Sequence, residues 1–75
     1  MSAVREFPSV TLTNNSNLVQ INTNDSNFSV VPGSVIVVAG DRPRVVISGD
    51  TVNRTLTLSI AYISINIVEK SAALI

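Results

Sequence analysis

The stretch that decides the fold is RTLTLSIAYISINIV, residues 54–68. It contains no Gly or Pro, and apolar residues alternate with polar or small ones along most of it. A period of two predicts a half-buried β-strand, since successive side chains of a strand point to opposite faces. The phase changes in mid-strand, because the large apolar residues occupy even positions up to Tyr62 and odd positions from Ile63 to Ile67. We expect a β-bulge or a change of contacted surface at that point.

The length of this stretch supports a second expectation. Its 15 residues would extend over about 50 Å as one strand, whereas a compact domain of this size is only about 30 Å across. We therefore predict one long C-terminal strand that bends sharply at Tyr62, with its two apolar sets facing different surfaces. The set facing the domain's own core is Leu56, Leu58 and Ile60. The set facing a neighbouring subunit is Ile63, Ile65 and Ile67.

The composition of the whole chain is typical of a β protein. Val occurs 12 times and Ile 8 times, and Ser, Thr and Asn together supply 24 of the 75 residues. β-branched residues fit a pleated, half-buried surface, and Ser and Asn favour turns. Short apolar or alternating runs between turn signals predict about six strands. We expect an all-β fold, a small β-sandwich or open barrel with an N-terminal arm and a long, bent C-terminal strand.

The two ends of the chain are predicted to lie outside the strand core. The pattern divides the chain into an N-terminal arm (residues 1–8), a single β domain (9–70) and a C-terminal tail (71–75). Val4 and Phe7 are the main apolar bulk of the arm, which is too short to pack as an element of its own. We therefore expect the arm to dock on another chain. The apolar end of the tail, Leu74 and Ile75, is a further candidate contact.

Charge and residue counts exclude several classes of function. The net charge is zero, and His and Cys are absent. Zinc–thiolate sites, disulfides and imidazole catalysis therefore cannot occur. A neutral chain has no electrostatic attraction for nucleic acid or acidic membranes, and no apolar run is long enough for a membrane-spanning helix. The first residues lack the basic and apolar regions of a signal peptide.

The sequence offers little that resembles a catalytic or metal site. Asn22-x-Asn24-x-Ser26 is rich in oxygen ligands but lacks the central Gly and the bidentate Glu of an EF-hand loop. We expect an Asn-rich turn there and no metal or cofactor. The five carboxylates fall in predicted turns, arm or tail. We predict no enzyme, although a pair formed by a serine and Lys70 stays open as a nucleophile and its base.

The candidate functional residues are those of an interface. Arg42 and Arg44 flank a turn, where they either contact an acidic partner or a phosphate, or pair with Asp41. Tyr62 at the change of phase is a candidate interface anchor. The predicted oligomer or partner interface comprises Val4, Phe7, Tyr62, Ile63, Ile65, Ile67, Leu74 and Ile75. Because a domain this small has little stability without disulfides or a metal, we predict a homo-oligomer, with a trimer favoured.

The short, Cys-free chain with its Ser/Thr/Asn-rich β pattern and apparent arms resembles the small all-β accessory proteins of bacteriophage virions. These include head decoration (cement) proteins and fibre or tail adaptors. The resemblance implies a homo-oligomer, often a trimer, that binds a major capsid protein at the capsid surface, without catalysis, after synthesis in the host cytoplasm. The alternative is a carbohydrate-binding or adaptor module of a tail fibre or surface appendage. The carbohydrate-binding reading predicts exposed aromatic rings and clustered carboxylates.

Overall fold

The computed structural model describes residues 5–24 and 27–75. These residues form six β-strands and no helix, which confirms the all-β prediction and the number of strands. The strands are β1 (Arg5–Leu12), β2 (Ser16–Ile21), β3 (Ser34–Val38), β4 (Arg44–Asp50), β5 (Thr55–Tyr62) and β6 (Ile67–Leu74).

The six strands form a closed barrel rather than the predicted sandwich or open barrel. Their order around the barrel is β1-β2-β5-β4-β3-β6, and every neighbouring pair is antiparallel. Strands β3, β4 and β5 are joined as successive hairpins, and β6 returns to lie beside β3, which is a Greek key. Closure comes from the pairing of β6 with β1, from Arg5↔Leu74 to Leu12↔Ile67.

Because neighbouring strands are antiparallel, the connections lie alternately at the two ends of the barrel. One end carries residues 13–15, 39–43 and 63–66, and we call it the isoleucine end. The opposite end carries the described residues of the 22–33 connection and residues 51–54. We call it the terminal end, because Arg5 and Ile75 also lie there.

The barrel interior is apolar throughout the part of the chain that the structure describes. Thirteen hydrophobic residues are buried there, and no polar or charged residue is. The core consists of Phe7, Val10, Leu12, Val19, Ile21, Ile36, Val38, Val46, Leu56, Leu58, Tyr62, Ala72 and Leu74.

The predicted long C-terminal strand is in fact two strands. β5 ends at Tyr62, residues 63–66 form a loop, and β6 begins at Ile67. The loop needs no Gly or Pro because hydrogen bonds from the surrounding structure hold it. The Tyr62 hydroxyl donates to the Ile65 carbonyl at 2.5 Å, and the Asn14 backbone N–H donates to Oδ1 of Asn66 at 2.7 Å. The change of phase therefore marks a chain reversal and not a bend.

The prediction for Ile60 is also wrong. Leu56 and Leu58 are buried as expected, whereas Ile60 is 75% exposed. The pairing of β2 with β5 explains this, because it runs from Leu18↔Thr57 to Ser16↔Tyr62. Between these two pairs the chain advances five residues along β5, from Thr57 to Tyr62, but only two along β2, from Ser16 to Leu18. The three extra residues interrupt the in–out alternation, as a bulge does.

Much of the predicted arm and tail is regular strand. Residues 5–8 are the first half of β1, and residues 71–74 are the end of β6. Glu6 pairs with Ala73 across these two strands. The register shifts between Phe7 and Val10, where Pro8 lies, and a bulge tolerates the missing proline N–H. Residues 1–4 of the predicted arm lie outside the described residues.

Candidate functional site

Part of the predicted interface lies in or against the barrel core. Phe7 and Leu74 are buried core residues, and Ile67 is half-buried against the same core. Ile75 is half-buried, and its backbone N–H and C=O are both hydrogen-bonded to Val35. Val4 lies outside the described residues. Phe7 and Leu74 thus contribute to the stability of the monomer and leave no side-chain surface for a partner.

The other predicted residues come together at the isoleucine end. Ile63 and Ile65 lie in the β5–β6 loop, and their exposed fractions are 72% and 86%. Arg42 is an exposed residue of the β3–β4 turn. Tyr62 and Arg44 lie beneath this surface as the residues that hold it in place. These predicted residues therefore lie at one end of the barrel, and the sequence pattern did not indicate which of their side chains meet the solvent.

Tyr62 is a buried support of the loop and not an exposed anchor. Only 2% of it is exposed, while its hydroxyl holds the Ile65 carbonyl. The backbone carbonyl of Tyr62 accepts a hydrogen bond from the Asn15 N–H at 2.7 Å. These two hydrogen bonds hold backbone carbonyls at the start and in the middle of the turn. The side chains of Ile63 and Ile65 point to the solvent.

An ion pair fixes the β3–β4 turn beside this loop. The Arg44 guanidinium donates to both carboxylate oxygens of Asp41, through Nε and Nη2. It also lies 4.5 Å from the centroid of the Tyr62 ring. The hydrogen bonds from Arg44 lower the pKa of Asp41 below its usual value, and the same bonds raise the pKa of Arg44. Arg44 is thus engaged within the chain, whereas Arg42 lies outside this pair.

A shallow groove of about 380 Å³ runs between the start of β4 and the end of β5. Val45, Ile60 and Ile63 form its apolar lining, and Arg42 lies on its rim. Sequence reasoning missed Val45, and it placed Ile60 in the core. The outward position of Ile60 depends on the mismatch between β5 and β2, for which the alternating pattern contains no signal.

A second groove lies on the barrel wall along β6. Ala73 pairs with Glu6 of β1 on one side and with Val37 of β3 on the other. The same groove is lined by Pro8, Ala39 and Ser71, and the Ala39 N–H donates to the Ser71 carbonyl at 2.9 Å. Small side chains on the middle strand leave a depression between larger ones. We call it the alanine groove; its only sequence signal is the run of small residues at 71–73.

Asn22 and Asn24 of the candidate calcium turn use their side chains within the protein, and Ser26 lies outside the described residues. Oδ1 of Asn24 accepts a hydrogen bond from Arg54 at 2.9 Å. The Asn22 side-chain amide donates to the Ser9 and Thr11 hydroxyls. No cluster of three or more His, Cys, Asp or Glu side chains occurs in residues 5–24 and 27–75. No helix among the described residues is long and apolar enough to cross a membrane.

The exposed surface lacks the aromatic rings that a sugar-binding platform uses. Of the three aromatic residues in the chain, Phe7 and Tyr62 are buried and Phe28 is half-buried against the core. No protein-family model, curated protein or solved structure matches the chain. Its function therefore has to be inferred from the two grooves and the exposed isoleucines.

Proposed function

We propose that this protein is a non-enzymatic structural assembly protein, a homo-oligomeric decoration or cement protein of a bacteriophage capsid. Its partners on this proposal are its own copies, as a trimer, and the major capsid protein. It acts at the capsid surface after synthesis in the host cytoplasm, and it stabilises the shell through apolar contacts between β-rich subunits.

The observation that carries the proposal is the exposed apolar surface of the isoleucine end. Ile60, Ile63 and Ile65 are each more than 70% exposed. Full burial of one such side chain contributes about 1.5–3 kcal/mol. Apolar surface rimmed by polar residues is typical of sites where proteins bind one another. The charges beside this surface are those of the β3–β4 turn, where Asp41 is paired with Arg44.

The closed barrel restricts how such contacts form. An open sheet binds partners by adding a strand to an unpaired edge. Each strand of this barrel has a paired neighbour on both sides. Docking therefore relies on side-chain surfaces, and the exposed Ile63 and Ile65 of the isoleucine end form one such surface. This supports rigid apolar packing, as expected of a protein that holds a shell together.

The alternative is a carbohydrate-binding or adaptor module of a tail fibre or surface appendage. An adaptor uses the same apolar docking surface, and its binding target distinguishes it from a cement protein. The carbohydrate-binding form needs exposed aromatic rings, which the described residues do not supply. We therefore favour assembly over sugar binding.

The experiment that tests self-assembly is size-exclusion chromatography with light scattering on wild type and Ile65→Asp. We expect the wild type to be an oligomer and Ile65→Asp to be a folded monomer, because an unpaired charge is too costly to bury in an interface. Ser48→Asp, at an exposed position of β4 outside the isoleucine end, is the control that adds the same charge, and it should stay oligomeric. A monomeric wild type at every concentration would refute self-assembly.

The capsid role has a separate test. Purified protein should co-sediment with the capsid shells of the phage that encodes it, and its gene should lie beside capsid and portal genes. An intact oligomer that fails to bind those shells would refute the capsid role while leaving self-assembly in place.

A further inference from the structure

We infer that copies of this chain bind one another head to side, with the isoleucine end of one copy packed into the alanine groove of the next. This inference rests on the proposed self-assembly and names the surface that receives the isoleucines. Two features carry it: the shapes of the two surfaces and the charges at their rims.

The shape of the alanine groove suits a branched aliphatic side chain. Ala73 lies at its centre, flanked by Glu6 and Val37 on the neighbouring strands. β1 and β3 lie on either side of β6 and are therefore two interstrand spacings apart, about 10 Å. Between the side chains of Glu6 and Val37, only the methyl group of Ala73 fills this space. The walls of the groove are mostly apolar. A protruding isoleucine has the size and polarity to occupy it.

The isoleucine end provides the matching projection. Ile63 and Ile65 extend from a loop that is held by the Tyr62 hydroxyl and by Asn14. Their exposed fractions are the largest in that loop's apolar surface. A loop that is already held in place loses little conformational entropy on docking, which favours association.

The charges at the two rims are opposite. Arg42 is exposed beside the isoleucine end, and Glu6 is exposed on the wall of the alanine groove. Asp41 does not serve Arg42 as its main partner, because it is held by both donors of Arg44. A symmetric contact between two isoleucine ends would bring two Arg42 side chains together, and like charges disfavour that arrangement. The head-to-side contact brings Arg42 towards Glu6.

The contact has a consequence for symmetry. The isoleucine end and the alanine groove are different surfaces of one copy, so the contact is heterologous and each copy uses both. Such contacts form a ring where the rotation between copies closes and an open filament where it does not. The proposed trimer is the smallest ring that this contact can form.

Charge reversal tests the pairing of the two rims. Arg42→Glu and Glu6→Arg should each weaken association about tenfold or more, measured by light scattering and sedimentation velocity, because each places like charges together. The double variant Arg42→Glu with Glu6→Arg restores opposite charges and should restore the oligomer. Lys70→Glu makes the same change of charge at an exposed site outside both surfaces, and it should assemble like the wild type. Failure of the double variant to recover would overturn the pairing.

A neutral variant tests the groove itself. Ala73→Leu fills the depression without adding charge, and it should abolish the oligomer while circular dichroism shows an intact fold. If the groove and charge variants all assemble normally while Ile65→Asp is monomeric, the head-to-side contact is wrong. Self-assembly through the isoleucine end would then stand. If the wild type is monomeric, self-assembly fails together with this inference.

Discussion

The two ends of the barrel are crossed by loops that carry apolar side chains, and the two loops turn them in opposite directions. At the terminal end, Phe28 and Val30 pack against the core, and the Phe28 ring meets Phe7 edge to face with centroids 5.6 Å apart. At the isoleucine end, Ile63 and Ile65 point into the solvent. The terminal end also exposes Val31 and Val52, so the two ends differ in the plug that Phe28 and Val30 form.

The difference follows from the volume available at each end. Gly49 has no side chain, and Val30 and Phe28 occupy the space where one would lie; a Cβ there would be 2.7 Å from a Val30 methyl group. At the isoleucine end, the buried ring of Tyr62 lies beneath the Arg44 guanidinium. The core at that end is therefore already filled, and Ile63 and Ile65 of the β5–β6 loop stay outside it.

The largest effect is expected at the inner face of β5. Leu58→Ala should lower the free energy of unfolding by about 2–5 kcal/mol, because it leaves a cavity in the apolar core. Ile60→Ala, two residues along the same strand, should change it by less than about 0.5 kcal/mol, since exposed positions lose little packing. Urea denaturation at low protein concentration measures both. Equal losses would show that Ile60 is buried in the folded monomer.

The next prediction compares the two crossing loops directly. Phe28→Ala should cost about 2–4 kcal/mol, somewhat less than a fully buried phenylalanine, because the ring is half-buried. Ile65→Ala should leave the stability of the monomer nearly unchanged and weaken self-association instead. Denaturation of dilute protein separates folding from association, because the stability gained by association depends on concentration. A large loss of monomer stability in Ile65→Ala would contradict the contrast between the ends.

The sequence predicted strands well and predicted connections poorly, for a physical reason. Alternation correctly indicated that Leu56 and Leu58 are buried, because that pattern is a property of one strand alone. The reversal at residues 63–66 depends on the buried Tyr62 hydroxyl and on Asn14, which is 52 residues from Asn66 in sequence, and neither bond is a turn signal in the sequence. The end of the predicted arm is likewise part of β1, and Pro8 there lies at a register shift that depends on pairing with β6.

The plug at the terminal end can be tested by adding one methyl group. Gly49→Ala should lower the free energy of unfolding by about 1–3 kcal/mol, because the new Cβ would overlap Val30 and crowd Phe28 and Leu56. Ser48→Ala, at the exposed neighbouring position, should be nearly neutral. The double variant Val30→Ala with Gly49→Ala should lose less free energy of unfolding than the two single variants together, because Val30→Ala removes the methyl group that the new Cβ would overlap. Strict additivity would show that Val30 does not occupy this space.

The smallest effect is expected from the ion pair at the isoleucine end. The Arg44 guanidinium lowers the pKa of Asp41 in the folded state, so the unfolded chain takes up a proton there more readily than the folded chain. The stabilisation is therefore complete above the ordinary aspartate pKa of 3.8, and it is lost as the pH falls through the lower, folded value. Asp41→Asn should cost about 1 kcal/mol at neutral pH, as is usual for one ion pair near a surface.

Measurements of stability in acid distinguish stabilisation by the charge of Asp41 from stabilisation by the packing of its side chain. The pKa of Asp50 is also lowered, by hydrogen bonds from Asn53 and Val52 within its own turn, so the wild type loses stability in acid from both groups. Comparison with Asp41→Asn cancels the contribution of Asp50, because the variant keeps it. The gap between the two proteins in urea denaturation should therefore shrink below pH 3.8. A gap that stays constant into acid would mean that Asp41 acts through its shape alone, and that the turn beside Ile63 is held without its charge.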